Sequence, residues 1–134
     1  MKKRKVDIKL IIENKEEIAN LELISTEKGE CFLKISINDI YHAEFSDTDF
    51  FSCFVQLRNK FSDIIFLCKG AKISVYPSSM SRDMSLGIAA YDHTFGKQTT
   101  REDLVNIFDF EDENVRVSPD EQRKYYYEWA DSLK

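Results

Sequence analysis

From Val6 to Ile12 apolar side chains recur at every second position, with Asp7 and Lys9 between them, which predicts a strand with one face buried. Two further strand-like segments, Ile18 to Ser25 and Cys31 to Ile37, flank Thr26-Glu27-Lys28-Gly29, a hairpin turn by composition. After a turn at Asn38-Asp39, Tyr41 to Phe45 adds another strand. An antiparallel meander is the simplest arrangement of these pieces.

At Ser46-Asp47-Thr48-Asp49 the period changes. Ser46 and Asp49 form an S-x-x-D variant of the capping box, and Phe50, Phe51, Phe54, Leu57 and Phe61 follow at helical spacing. That apolar stripe predicts a helix lying on the sheet.

The continuous apolar run Ile64 to Cys68 predicts a short buried central strand, with Ala71 to Tyr76 as its hairpin partner. The run from Val75 to Met84 reads as a surface loop stiffened by Pro77, with Met80 and Met84 tucked against the core. Leu86 to His93 offers a further strand. Thr100 with Asp103 predicts the start of a short helix carrying Leu104, Val105, Ile107 and Phe108. The last helix has the clearest start: Ser118 as cap, Pro119 at the first helical position, and Glu121 completing the box. On it, Tyr126, Trp129 and Leu133 fall on one face for docking, while Arg123, Lys124 and Glu128 face water. The predicted fold is a single α+β domain over residues 1–134, an antiparallel sheet of about five to seven strands with three helices on one face or end.

Composition agrees with one domain: 134 residues of which 43% are hydrophobic suffice for a single conventional core. Cys31, Cys53 and Cys68 are an odd set without close spacing, so they read as buried reduced thiols and not as a disulfide framework or zinc knuckle. Lys2-Lys3-Arg4-Lys5 has the charge of a secretory signal's start, but Asp7 and Lys9 interrupt any apolar run after it, and no later run is long enough for a bilayer. The expectation is a cytoplasmic protein with no membrane partner.

Charge is unevenly spread. The net charge is −5, yet between Glu102 and Glu121 eight acids face one base, Arg116. Such a field repels nucleic acid and attracts a basic partner. The basic cluster at residues 2–5 reads as a solvated tail, and direct nucleic-acid binding is not expected.

Candidate chemistry is sparse. His42 and His93 lie in separate predicted strands, without ligand partners at the spacings metal motifs use. Cys53 stands among phenylalanines and Cys68 ends an apolar strand, so both read as packing residues. Ser78, Ser79 and Ser81 with Arg82 offer a nucleophile and an anion holder, but the G-x-S-x-G elbow and the S-x-x-K pair are missing. No catalytic, cofactor or metal residues are assigned. The expected role of this segment is recognition, with Tyr76, Ser78, Arg82 and Asp83 as partner-binding residues beside the acidic set Asp109, Glu111, Asp112 and Glu113.

Gly70-Ala71, Val75-Tyr76-Pro77-Ser78, Met80-Ser81-Arg82-Asp83-Met84, Ala90-Tyr91, Asp103-Leu104-Val105 and Ile107-Phe108-Asp109 together resemble small bacterial immunity proteins of the polymorphic-toxin and contact-dependent growth inhibition type. The resemblance covers the second half of the chain. It implies a small, cofactor-free cytosolic domain that neutralises a cognate protein toxin by covering its active site or substrate surface. Nuclease toxins carry basic surfaces, and an acidic inhibitor gains on-rate from field complementarity. Two other classes compete with this reading: a small enzyme using Ser78, Ser81, Arg82 and His93, and an oligomeric adaptor domain.

Overall fold

The computed structural model describes residues 1–134. Four strands, β1 (Lys2–Ile12), β2 (Lys15–Ser25), β3 (Cys31–Ile37) and β4 (Ile40–Asp47), form an antiparallel meander, followed by helix α1 (Phe50–Lys60). Strand β5 (Ile65–Leu67) returns to pair with β1, giving the order β4-β3-β2-β1-β5. A second, three-stranded sheet is ordered β6 (Val75–Tyr76), β7 (Ala89–Asp92) and β8 (Leu104–Asn106). Helix α2 (Ser79–Ser85) lies between β6 and β7, and helix α3 (Pro119–Ser132) closes the chain. The fold is α+β, as expected, with its strands divided between two antiparallel sheets.

Two of the hairpins turn on two residues each. Glu13 and Asn14 have φ of 50° and 66°, and Asn38 and Asp39 have φ of 54° and 64°. Paired positive values suit the primed turns whose twist matches the flanking strands. Asn and Asp tolerate that conformation better than most side chains. The alternation then does its work: Ile8, Leu10, Ala19, Leu21, Leu23, Leu33, Ile35 and Ala43 are buried on the inner face, while Asp7, Asn20 and Lys34 stand on the outer one. The basic residues 2–5 are part of β1, paired with Leu23 to Ser25 and Glu22, and are not a free tail.

Helix α1 covers the inner face with Phe50, Phe51, Phe54 and Leu57 buried. Its cap is Asp49, not Ser46. Asp49 is extended at φ −151° and accepts from the Ser52 amide, whereas Ser46 stays in β4 opposite Phe32.

Several expectations in the second half are corrected. Strand β5 is at the edge of its sheet, not its centre. Its apolar character is explained by cover on the open side, where Cys68 bridges Phe110 and the Glu111 amide donates to the Leu67 carbonyl. Residues 69–71 make a 3-10 turn, so the only strand in 71–76 is β6, which pairs with β7 in the other sheet. Thr100 and Asp103 do form a capping box, but it closes a single 3-10 turn (Arg101–Asp103), and Leu104 continues as β8. Most of the supposed surface loop is α2: Ser78 caps it reciprocally with Ser81, a box built from two serines. Met80 and Met84 are 68% and 81% exposed on its outer face and do not pack on the core. Leu133, the cap residue of α3, is likewise exposed.

Polar side chains join the two sheets. Gln122, on the inner face of α3, is buried. Its Nε2 lies 2.9, 2.9 and 2.8 Å from the carbonyl oxygens of Gly70, Lys72 and Val75. Its Oε1 accepts from Arg58 Nη1 at 2.7 Å. These carbonyls sit where the chain turns too tightly for a ladder, and buried acceptors need a partner. Trp129, also buried, donates from its indole to the Lys97 carbonyl at 2.9 Å, anchoring α3 as its spacing predicted.

Candidate docking site

The sequence nominated two sets of residues, and the structure treats them differently. Ser78 spends its hydroxyl on helix capping: Oγ accepts from the Ser81 amide at 3.0 Å and the Ser78 amide donates to Ser81 Oγ at 2.9 Å. Arg82 is not free to hold a partner's anion. Its Nη1 donates to Asp49 Oδ2 and to Ser52 Oγ, both at 2.9 Å, and its guanidinium lies over the Phe51 and Tyr76 rings. Tyr76 stacks on Tyr126 with centroids 4.5 Å apart. Arg82 thus ties α2 to the start of α1. Of this set only Asp83 presents an uncommitted charged side chain, on the α2 face that also carries Met80 and Met84.

The acidic set splits as well. Asp109, Asp112 and Glu113 are exposed. Glu111 is committed to the fold: it pairs with Lys69 at 3.0 Å and Lys72 at 3.4 Å, and Oε2 accepts from the Asp112 and Glu113 amides. Partial desolvation pushes its carboxyl up, but the Glu113 amide and the two lysines outweigh that and hold it down at about 2. No hydrogen bond or ion pair joins this set to the Tyr76 and α2 set.

Apart from both sets the structure shows a groove that sequence reasoning missed. It is an open cleft of about 620 Å³ lined by Lys72, Ser74, residues 92–95, Glu102, Asp103, Val105, Asn114 and Tyr125. Its charged lining is Asp92, Glu102 and Asp103 against Lys72. Lys72 is bound to Asp92 at 2.9 Å, and Ser74 Oγ donates to the other oxygen of the same carboxylate. Phe95 stands exposed at the groove, stacked on Tyr125 with centroids 4.6 Å apart. Through Asn114 the cleft borders the turn that exposes Asp112 and Glu113. The sequence signal was present in the acid count, but the lining comes from five separate parts of the chain and only the fold assembles them.

Neither a base nor an activated thiol is organised here. The buried His93 ring holds Nδ1 3.0 Å from the Ser74 carbonyl, which can only accept, so Nδ1 carries the proton. Burial lowers its pKa below the ordinary histidine value, despite the Ser74 contact and Asp92. Its ring packs against Trp129 and Tyr126. Burial pushes the thiols of Cys31, Cys53 and Cys68 up to about 11, 12 and 12, so they stay protonated near neutral pH. No three His, Cys, Asp or Glu side chains converge as metal ligands would. No helix is long and apolar enough to cross a membrane.

No protein-family model matches this chain, and no curated protein matches it in sequence. The groove, the exposed carboxylates beside it and the α2 face are therefore judged on their own chemistry. Carboxylates on an open cleft accept hydrogen bonds from lysine or arginine, and an exposed aromatic ring adds apolar and cation-π contact. This combination suits a basic protein surface better than a small neutral substrate.

Proposed function

We propose that this protein is an immunity-type inhibitor, a cytoplasmic binding module that neutralises a basic protein toxin by occupying the surface with which the toxin grips its own anionic substrate. The observation that carries this reading is the acid-lined groove with Phe95 at its side. Glu102, Asp112 and Glu113 hold exposed carboxylates at or beside it, and Asp103 lies partly exposed in its wall. Charges so placed accelerate encounter with a positive surface and orient it, while Phe95 supplies a desolvated anchor. Asp109 extends the reading to the neighbouring surface, and Asp83, on the α2 face, is left outside it. Arg82, Ser78 and Glu111 support the scaffold and leave the list of contact residues.

The test uses the basic protein that co-purifies with this chain from its native cell. Glu102→Lys combined with Asp112→Lys should slow association at least tenfold, flatten its salt dependence and abolish protection in a growth assay, with the fold retained. Met80→Ser with Asp83→Asn should leave both properties near wild type. The opposite pattern would move the interface to α2, and wild-type kinetics for both variants would sink the docking reading.

A further inference from the structure

Arg58, in the last turn of α1, is 4% exposed and has no carboxylate partner; the partly buried ion pairs in this half engage Lys69, Lys72 and Arg82 instead. It makes three hydrogen bonds, two from Nη1 and one from Nη2, to the Gly70 carbonyl, Gln122 Oε1 and the Val117 carbonyl. All three acceptors are neutral. A guanidinium has five N–H donors, so two are unspent. No buried side-chain nitrogen or oxygen in the protein lacks a hydrogen-bond partner. Nε, which makes none, is therefore not fully enclosed, and Arg58 lines an open space.

That space is a cavity of about 310 Å³ between the end of α1, the start of β5 and residues 115–119. Its lining combines apolar Ile65, Phe66 and Val115 with Arg58, Arg116 and Ser62. No acid contributes to its lining, although the chain as a whole is at −5. Stapling carbonyls asks only for a neutral donor. A buried, fully charged guanidinium beside a second arginine instead leaves positive charge uncompensated in a low-dielectric pocket, the setting in which an anion binds best. Burial, opposed in part by Cys68, lowers Arg58 to about 10, still fully protonated at neutral pH.

We infer that this cavity is a binding site for a small amphiphilic anion, its carboxylate or phosphate head held by Arg58 and Arg116 and its apolar body laid against Ile65, Phe66 and Val115. Its volume is at the small end of ligand pockets, which limits the occupant to a compact molecule. The site shares no lining residue with the acidic groove. Occupancy would also reinforce the junction where α1, the Gly70 turn and the segment before α3 meet.

The experiment is an amide-resolved NMR titration of the full chain with sodium phenylphosphate and with sodium benzoate at constant ionic strength, using sodium chloride as the control. Saturable shifts confined to residues 58–66 and 115–119 are expected, with a rise in Tm on saturation. Tighter binding of phenylphosphate assigns a phosphate head, and tighter binding of benzoate a carboxylate. Because Arg58 itself holds the fold, two exposed positions carry the mutational test: Arg116→Glu should weaken binding at least tenfold, and Ser62→Trp should obstruct the mouth to a similar degree. Shifts no different from chloride, or unchanged affinity in both variants, overturn the proposal without touching the docking groove.

Discussion

Along β1 to β3 the backbone looks after itself: ladders of eleven and seven residue pairs leave the side chains free to pack, and the side chains buried on the inner face are all apolar. From Lys69 onward strands run only two to four residues. Carbonyls at Gly70, Lys72, Val75 and Val117 are satisfied by Gln122 and Arg58, and the start of α1 is held by Asp49 and Arg82. The difference is one of mechanism. The first region is held by burial, which is tolerant of shape, and the second by directional contacts, which are not. A polar truncation in the second region should therefore cost as much as an apolar one in the first.

The sharpest test sets Gln122→Leu against Leu33→Ala. The former removes a donor shared by three carbonyls, of which Gly70 keeps Arg58 and Lys72 keeps the Val75 amide, and takes from Arg58 its shortest hydrogen-bond acceptor, with an expected loss of about 4 kcal/mol. Emptying the fully buried Leu33 site should cost about 3 kcal/mol. Denaturant unfolding of both checks the ranking, and a Gln122→Leu loss below about 1 kcal/mol would break the comparison.

Glycines offer the next contrast. Gly87 has φ +76°, and a Cβ there would sit 2.8 Å from Asp49 Oδ1 and 3.0 Å from the Phe51 amide. Gly29 has φ +83° but open space around it. Alanine at Gly87 should cost about 3 kcal/mol, strain plus collision, against about 1 kcal/mol at Gly29 for strain alone. Equal losses would show that the α1 start yields readily.

Acid should act on the second region first. Burial lowers His93 below its ordinary 6.5, so stability is complete above that value and declines as pH falls through the folded pKa. Glu111, lowered from 4.5 to about 2, adds a second decline as pH falls from 4.5 towards 2. Thermal melts across this range should show both phases, with His93→Gln removing the upper and Glu111→Gln the lower. The smallest effect belongs to the exposed acids: Asp112→Asn with Glu113→Gln should change stability by less than about 0.5 kcal/mol.

The same contrast explains what could be read from the chain. Strands β1 to β3 have one wet and one dry face, so their period of two is visible, and Gly29 and Asn38-Asp39 mark their turns. Strands β6 and β8 are too short to show any period. Helix α2 was hidden because Ser81 stands where a capping box usually has Glu or Gln. The acid excess was legible, but its groove is not, since Asp92 and Glu102 meet only after the second sheet forms. Arg58 and Gln122 left one trace: Arg58 falls four residues after Phe54, and Gln122 four before Tyr126, each on an otherwise apolar stripe.

Gln122 reaches carbonyls 47 to 52 positions earlier in the chain. Every partner within the β1 to β4 meander, by contrast, lies on the neighbouring strand and is available once that hairpin has left the ribosome. Assembly therefore has a built-in order: a sheet that matures during synthesis, and a second one that waits for its latch until α3 has emerged. Stalled chains ending near Val115 should protect the meander from protease while leaving the 69–76 stretch open to cleavage.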